Sequence, residues 1–344
     1  MKVAVIGASG YVGAELIALL NAHDQISVEH LVVSEHSSSA GMSFSELHPK
    51  YLGLCDLPIV PFTNSWLQQA APQLDAVFFA TPHEFSADWA HAFIELGVKV
   101  FDLSGGFRLK QESDYPEYYG FEHQHLDTLA SAVYGLAEWQ HQDIAQASIV
   151  AVPGCYPTAS LLALKPITAN QLHVKGSLIV VNGISGVSGA GRKALLATSF
   201  NEVSLTPYNI LQHRHQPEIS QEAGAQVIFN PHLAPYKRGL LATVTLQLKT
   251  GVSSEQIDQA FIQAYQDAPL VRLSASWPKI DNVAYTPFAD IHWQFDSDKH
   301  VLVISCAIDN LLKGAAAQAV QCANISLGLA SHYSLVTPIK GGAI

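Results

Sequence analysis

Arginine is the scarcest charged residue in this 344-residue chain, with five copies among 18 basic side chains that face 29 acidic ones. No segment concentrates lysine and arginine, and a net charge of −11 leaves nothing to neutralise a phosphate backbone, which excludes nucleic acid as a partner. The ~18 unbroken apolar residues of a membrane span are also missing, so no membrane is expected. The opening MKVAVIGASGYVG turns through glycines where a secretory leader needs a continuous apolar stretch. Cys55, Cys155, Cys306 and Cys322 have neither metal-site nor disulfide-framework spacing, which fits a reducing compartment and a cytoplasmic protein. Against these absences stand 49% hydrophobic residues and a mean hydropathy of +0.18, which exclude disorder. The length exceeds one compact core and suits two domains.

Short apolar runs at 2–6, 28–33, 76–80 and 98–101 alternate with helical patterns at 14–20 and 85–96. Continuous apolar runs are strands covered on both faces, and the alternation predicts an α/β, Rossmann-type doubly wound parallel sheet over residues 1–150. Beyond 150 the strands lengthen and alternate, as in ATVTLQL at 242–248, with a helix expected over 253–267. That pattern predicts an α+β second domain over 151–310. A last helix over 311–330 is expected to return to the first domain.

Gly7-Ala8-Ser9-Gly10-Tyr11-Val12-Gly13 lies between the first strand and the first helix. Glycines there allow a tight turn and close backbone approach, and the helix start offers free N–H groups to a pyrophosphate. The spacing is G-x-x-G-x-x-G, a variant of the dinucleotide fingerprint. At the end of the second strand an acidic residue would hold a ribose hydroxyl and repel a 2′-phosphate. Ser34 stands there, although Glu35 follows, so NADP(H) is the expected cofactor.

Val152-Pro153-Gly154-Cys155-Tyr156-Pro157-Thr158 places a cysteine at a second strand-to-helix turn. Facing a helix N-terminus, the Cys155 thiol is expected to have a lowered pKa and to act as a nucleophile. The other three cysteines read as small core residues. A thiol nucleophile needs a proton carrier, and His213-Arg214-His215 offers two imidazoles around an arginine. Paired histidines also suggest zinc, but no HExxH or CxxC accompanies them, so no metal is expected. Arg108, Arg192, Arg214 and Arg238 all sit in glycine- or histidine-rich loops. Such placement predicts forks for carboxylate and phosphate, hence a substrate anionic at more than one point.

GASGYVG at 7–13, SGGFRL at 104–109, VPGCYPT at 152–158, SGVSGAGR at 185–192, HRHQPEI at 213–219, PHLAPYKRG at 231–239 and DNLLKGAAAQAVQ at 309–321 together resemble the N-acetyl-γ-glutamyl-phosphate reductases. These are NADPH-dependent enzymes of arginine biosynthesis, related in fold to aspartate-semialdehyde dehydrogenase. Ala137 and Ala317 stand where the pattern has proline and glycine. The resemblance implies a second domain like that of glyceraldehyde-3-phosphate dehydrogenase, serving catalysis and oligomerisation, in a homodimer or homotetramer. It implies that Cys155 forms a thioester with loss of phosphate, and that hydride reduces the thioester to N-acetylglutamate semialdehyde. His215, with His213 as the alternative, would carry the proton. Arg108 would clamp phosphate, and Arg214 and Arg238 the carboxylate. Ser185, Gly186, Ser188 and Gly189, with Asn310, would close over the nicotinamide.

Two rivals remain: aspartate-semialdehyde dehydrogenase, and a non-catalytic NADP sensor. An extended short-chain dehydrogenase is excluded, because none of the 12 tyrosines has a lysine four residues on.

Overall fold

The computed structural model describes residues 1–336 and contains two sheets. The first is built from β1 (Lys2–Ile6), β2 (Ser27–Val33), β3 (Ile59–Pro61), β4 (Ala76–Phe79), β5 (Lys99–Asp102), β6 (Val133–Tyr134) and β7 (Ile149–Ala151). All pairings are parallel, in the order β3-β2-β1-β4-β5-β7-β6. Alternate residues feed two cores. Val3 and Val5 pack with Leu16 and Ile17 of the helix Tyr11–Asn21, whereas Ala4 and Ile6 join Phe93 of the helix His83–Glu95. The chain runs outward in both directions from β1 and β4, so a crevice opens beyond their carboxyl ends, where such sheets bind ligands.

The second sheet contains β8 (Ile179–Gly186), β9 (Thr206–Pro207), β10 (Val227–Ala234), β11 (Leu240–Gln247), β12 (Val271–Leu273), β13 (Ala289–Asp296) and β14 (Val301–Ile308). Its order is β12-β13-β14-β11-β8-β10-β9, mixed in direction, with β8–β10 and β12–β13 the parallel pairs. The helices Cys155–Ala169, His215–Ala223 and Ser254–Tyr265 share one core with Val181, Phe229, Val244 and Ile304 on one face. The opposite face carries Val180, Ile184, Ile228, Leu241 and Val303, which are half-buried and join none of the three cores.

The final helical segment departs from the simple helix that the sequence pattern predicts. It opens with a π-helical turn, Leu312–Ala316, before the helix Ala317–Ser326, which packs on Tyr11–Asn21 and His141–Gln146. Asp309 shapes this turn, since its Oδ1 accepts the N–H groups of Leu311 and Leu312. Lys313 is fully buried in the turn and donates to Glu138, Gln318 and Gln321. No helix among the described residues is long and apolar enough to cross a membrane.

Candidate active site

The nucleotide loop closes on itself because side chains are absent where it folds. A Cβ on Gly7 (φ 97°) would strike the Ala80 carbonyl after β4, and one on Gly13 would strike Gly7. Gly10 caps the helix Tyr11–Asn21 with no side-chain hydrogen bond and no acidic residue in the first turn. The leading N–H groups of that helix are therefore left for an anion, at the crevice between β1 and β4. These residues fit the pyrophosphate of a dinucleotide. Ser34 stands exposed just beyond β2.

Asn310 ties two turns of the second domain together. Its side chain accepts the Gly239 N–H (2.7 Å) and donates to Ser188 Oγ (3.0 Å), beside Ser185 and Gly189. Arg192 Nη1 reaches the Ser9 carbonyl (3.4 Å). A cleft of about 800 Å³ between the domains is lined by Tyr11, Lys50, Ser188, Arg192, Lys237 and Arg238 among others.

Cys155 is the first residue of the helix Cys155–Ala169, capped by Gly154. The expected lowering of its pKa does not occur in the unliganded protein. Burial pushes the thiol up to about 11, against the Tyr156 N–H and the Arg108 charge, which pull it down. Helix N-termini act over about one turn, and here loss of water outweighs them. The His215 ring packs against Gly154, the residue before the thiol: a Cβ on Gly154 would lie 2.5 Å from its Nε2. His213 is turned away to other work. Its Nδ1 accepts the His215 N–H (3.1 Å), and its ring packs on Tyr208 and Phe229. Burial lowers both imidazoles, with Arg214 adding to each, His213 to about 3 and His215 well below its usual range.

Glu218, one turn after His215, was not singled out from the sequence, although it stands in the HRHQPE segment. It is fully buried, and its Oε1 accepts the Tyr134 hydroxyl (2.8 Å) and the Gly154 N–H (3.0 Å). Its Oε2 has no hydrogen bond and lies 3.7 Å from Arg108 Nη1 and 3.9 Å from His215 Nε2. Burial raises its pKa, while Arg108 and the Gly154 N–H draw it down. The carboxylate thus sets the backbone on which the thiol stands. His83 is a second unforeseen neighbour. Its Nδ1 accepts the Gly105 N–H (2.7 Å), which places the ring proton on Nε2, and burial with Arg214 and Arg108 lowers its pKa to about 3.

The three arginines expected on substrate have different fates. Arg108 is buried, with Nε on the Val152 carbonyl (2.8 Å) and Nη2 on the Leu103 carbonyl (2.7 Å), so one face of its fork holds the ends of β5 and β7. Arg214 is exposed and makes no hydrogen bond or ion pair among the described residues, which suits an anion binder. Arg238, by contrast, joins the domains. Its Nε pairs with Asp309 and its Nη1 with Glu15 (each 2.5 Å), and its guanidinium stacks on Tyr285. Carboxylates take Nε and Nη1, while Nη2 is buried without a hydrogen-bond partner among the described residues, so only that group is left to meet the expected substrate carboxylate.

Residues 2–147 match the semialdehyde dehydrogenase NAD binding domain family and residues 155–310 the semialdehyde dehydrogenase dimerisation domain family. An N-acetyl-gamma-glutamyl-phosphate reductase from Tolumonas auensis is 51% identical over 336 residues, covering 98% of this chain and all of that one. The chain belongs to the N-acetyl-γ-glutamyl-phosphate reductase family. Another family protein carrying the same name, from Yersinia pseudotuberculosis, is 52% identical over 333 residues, covering 96% of this chain and 98% of that one. Among solved structures, aspartate semialdehyde dehydrogenase II from Vibrio cholerae, complexed with ASA, has a TM-score of 0.71 at 20% identity, covering 95% and 98% of the two chains. Aspartate semialdehyde dehydrogenase with NADP from Candida albicans has a TM-score of 0.65 at 15% identity, covering 94% and 97%. These two likenesses establish the shared fold. In this reductase family member the Rossmann-like domain and the mixed-sheet domain are the two matched units.

Proposed function

We propose that this protein reduces N-acetyl-γ-glutamyl phosphate to N-acetylglutamate semialdehyde with release of phosphate, through a thioester on Cys155, in arginine biosynthesis. The observation that supports the reading is the setting of Cys155: a helix-start thiol on a turn whose preceding residue, Gly154, packs on the His215 ring and donates its N–H to Glu218. Burial raises the thiol's pKa, and His215 is depressed first by burial and then by His213, Arg214 and Arg108, which makes it a weak base. An anionic substrate on Arg214 offsets the share of that depression that comes from Arg214 and so raises the basicity of His215. Sulfur then attacks the acyl carbon, the C–O bond to phosphate breaks, and His215 passes the thiol proton to the departing phosphate. A bound dihydronicotinamide supplies hydride chemistry to an acyl group held this way. Collapse of the thiohemiacetal alkoxide re-forms the carbonyl and expels the Cys155 thiolate.

The Gly7–Gly13 turn with Asn310, Ser185, Gly186, Ser188 and Gly189 is the proposed dinucleotide site. NADPH is the proposed form, because Ser34 presents a hydroxyl where a carboxylate would repel a 2′-phosphate. His215 is the proposed acid/base, with His213 as its positioning residue. Arg214 takes an anionic group, and Arg108 shapes the phosphate side. Two copies associate through the uncovered face of the second sheet. The test runs the reaction backwards, with each semialdehyde, NADP or NAD, and phosphate. N-acetylglutamate semialdehyde with NADP should give the higher kcat/KM, and preference for aspartate semialdehyde would reject the reading.

A further inference from the structure

The nucleophile touches a part of the chain that the proposed chemistry does not use. Gly314, the middle residue of the π-helical turn Leu312–Ala316, lies against Cys155. A Cβ on Gly314 would come 2.7 Å from the cysteine Cβ and 3.1 Å from its Cα, so the turn meets the helix start with no room for a side chain. Gly314 N–H donates to the Asp309 carbonyl (2.9 Å) and Ala316 N–H to the Leu311 carbonyl (2.9 Å), each reaching back five residues where an α-helix reaches four. Asp309 is fully buried and anchors both sides of this turn. Its Oδ1 takes the N–H groups of Leu311 (2.9 Å) and Leu312 (2.8 Å), as a capping carboxylate does at a helix start. Its Oδ2 takes the Tyr285 N–H (2.6 Å) and Arg238 Nε (2.5 Å). Arg238 Nη1 then pairs with Glu15, on the helix Tyr11–Asn21 that opens at the nucleotide loop. Tyr285 holds φ 63°, a conformation that side chains avoid and that persists where the surroundings over-determine it.

We propose that Asp309 is a positioning residue for the reaction: it seats Cys155 through the π turn and Gly314, and ties that seat to the dinucleotide helix through Arg238 and Glu15. The inference rests on the reading of Cys155 as the nucleophile. An acyl carbon on that sulfur has to meet a group held by the first domain, and a misplacement of about 1 Å costs up to about 10²-fold in rate. One carboxylate bound to both ends sets the separation without touching either reactant. Ordinary packing does not call for this arrangement. Glycine within a helical turn is less stable than alanine, and the close approach to Cys155 is what position 314 gains in exchange.

The test compares the full-length wild type with Gly314→Ala, Glu15→Ala and Asp309→Asn. It measures the denaturant midpoint, the rates of Cys155 alkylation by iodoacetamide and acylation by N-acetyl-γ-glutamyl phosphate, and the discharge of the acyl-enzyme by NADPH. Gly314→Ala crowds the thiol end and should slow alkylation and acylation about tenfold or more. Glu15→Ala cuts the other end and should leave both at the wild-type rate while slowing discharge about tenfold. Asp309→Asn keeps one oxygen for Leu311 and Leu312 but turns an amide towards Arg238 and the Tyr285 N–H, and should show both defects. A merely structural role predicts instead that Gly314→Ala is as stable as the wild type and as fast, and that any loss of rate follows the midpoint. Wild-type alkylation and acylation in Gly314→Ala overturn the proposal, and so does wild-type discharge in Glu15→Ala. These two variants decide the matter even where Asp309→Asn does not fold. A wild type that carries the acyl group elsewhere than on Cys155 would reject the reading of the nucleophile itself.

Discussion

The thiol of Cys155 rests protonated because burial outweighs both the helix start and Arg108. The residue therefore needs a partner, and His215, which lies against Gly154 and 3.9 Å from Glu218, is the proposed one. Replacing Cys155 by Ala should lower kcat by at least about 10³-fold with the fold intact, the scale of losing a nucleophile. Glu218→Gln keeps the shape of the acceptor but removes the charge near His215, and should lower kcat by about 10²-fold and shift the acidic limb of the pH–rate profile. An unchanged profile would reduce Glu218 to a support for Gly154. The strand-to-helix turn that carries Cys155 was legible in the sequence because the Gly-Cys-Tyr-Pro pattern is local. Its pKa was not, since desolvation comes from segments distant along the chain. The ion pairs of Arg238 were not legible for the same reason: Glu15, its partner, lies 223 residues away.

At the scale of elements, the π-helical turn 312–316 is the part most dependent on one group. Lys313 is buried with Glu138, and removing one member of such a pair strands the other. Lys313→Met should cost about 3–5 kcal/mol in denaturant unfolding, and Lys313→Met with Glu138→Leu should recover much of it. If the double variant were no better than the single, the pair would not be the cause. The parallel strands β1, β4 and β5 were legible as short apolar runs, and Ala76–Phe79 is buried at every position. The strands β6, β9 and β12 were not, because two or three residues carry no period. The π turn was hidden too, because a helix with i→i+5 bonds over one turn has the same apolar pattern as one without.

For the whole molecule, burial of neutral imidazoles sets the response to acid. His83, His213 and His215 all have pKa values below 6.5 in the folded protein, His83 and His213 at about 3. Between pH 6.5 and about 3 the unfolded chain binds more protons, so stability is full above 6.5 and falls as pH drops through that window. Each histidine contributes up to about 1.4 kcal/mol per pH unit there. Denaturant midpoints should decline steadily from pH 7 to pH 4, and His213→Asn should flatten the slope. A midpoint independent of pH across that range would mean these rings protonate in the folded state. The two-domain plan was readable from the change in strand texture near residue 150, whereas the Arg238 clasp between Glu15 and Asp309 required the folded structure.

The most direct measurement mixes the enzyme with N-acetyl-γ-glutamyl phosphate in the absence of nicotinamide cofactor, quenches in acid and maps the peptides by mass spectrometry. The N-acetylglutamyl group should sit on the peptide containing Cys155, in about one copy per active site, and disappear when NADPH is added before the quench. An acyl group on another side chain, or product formed without any acylated enzyme, would contradict the account.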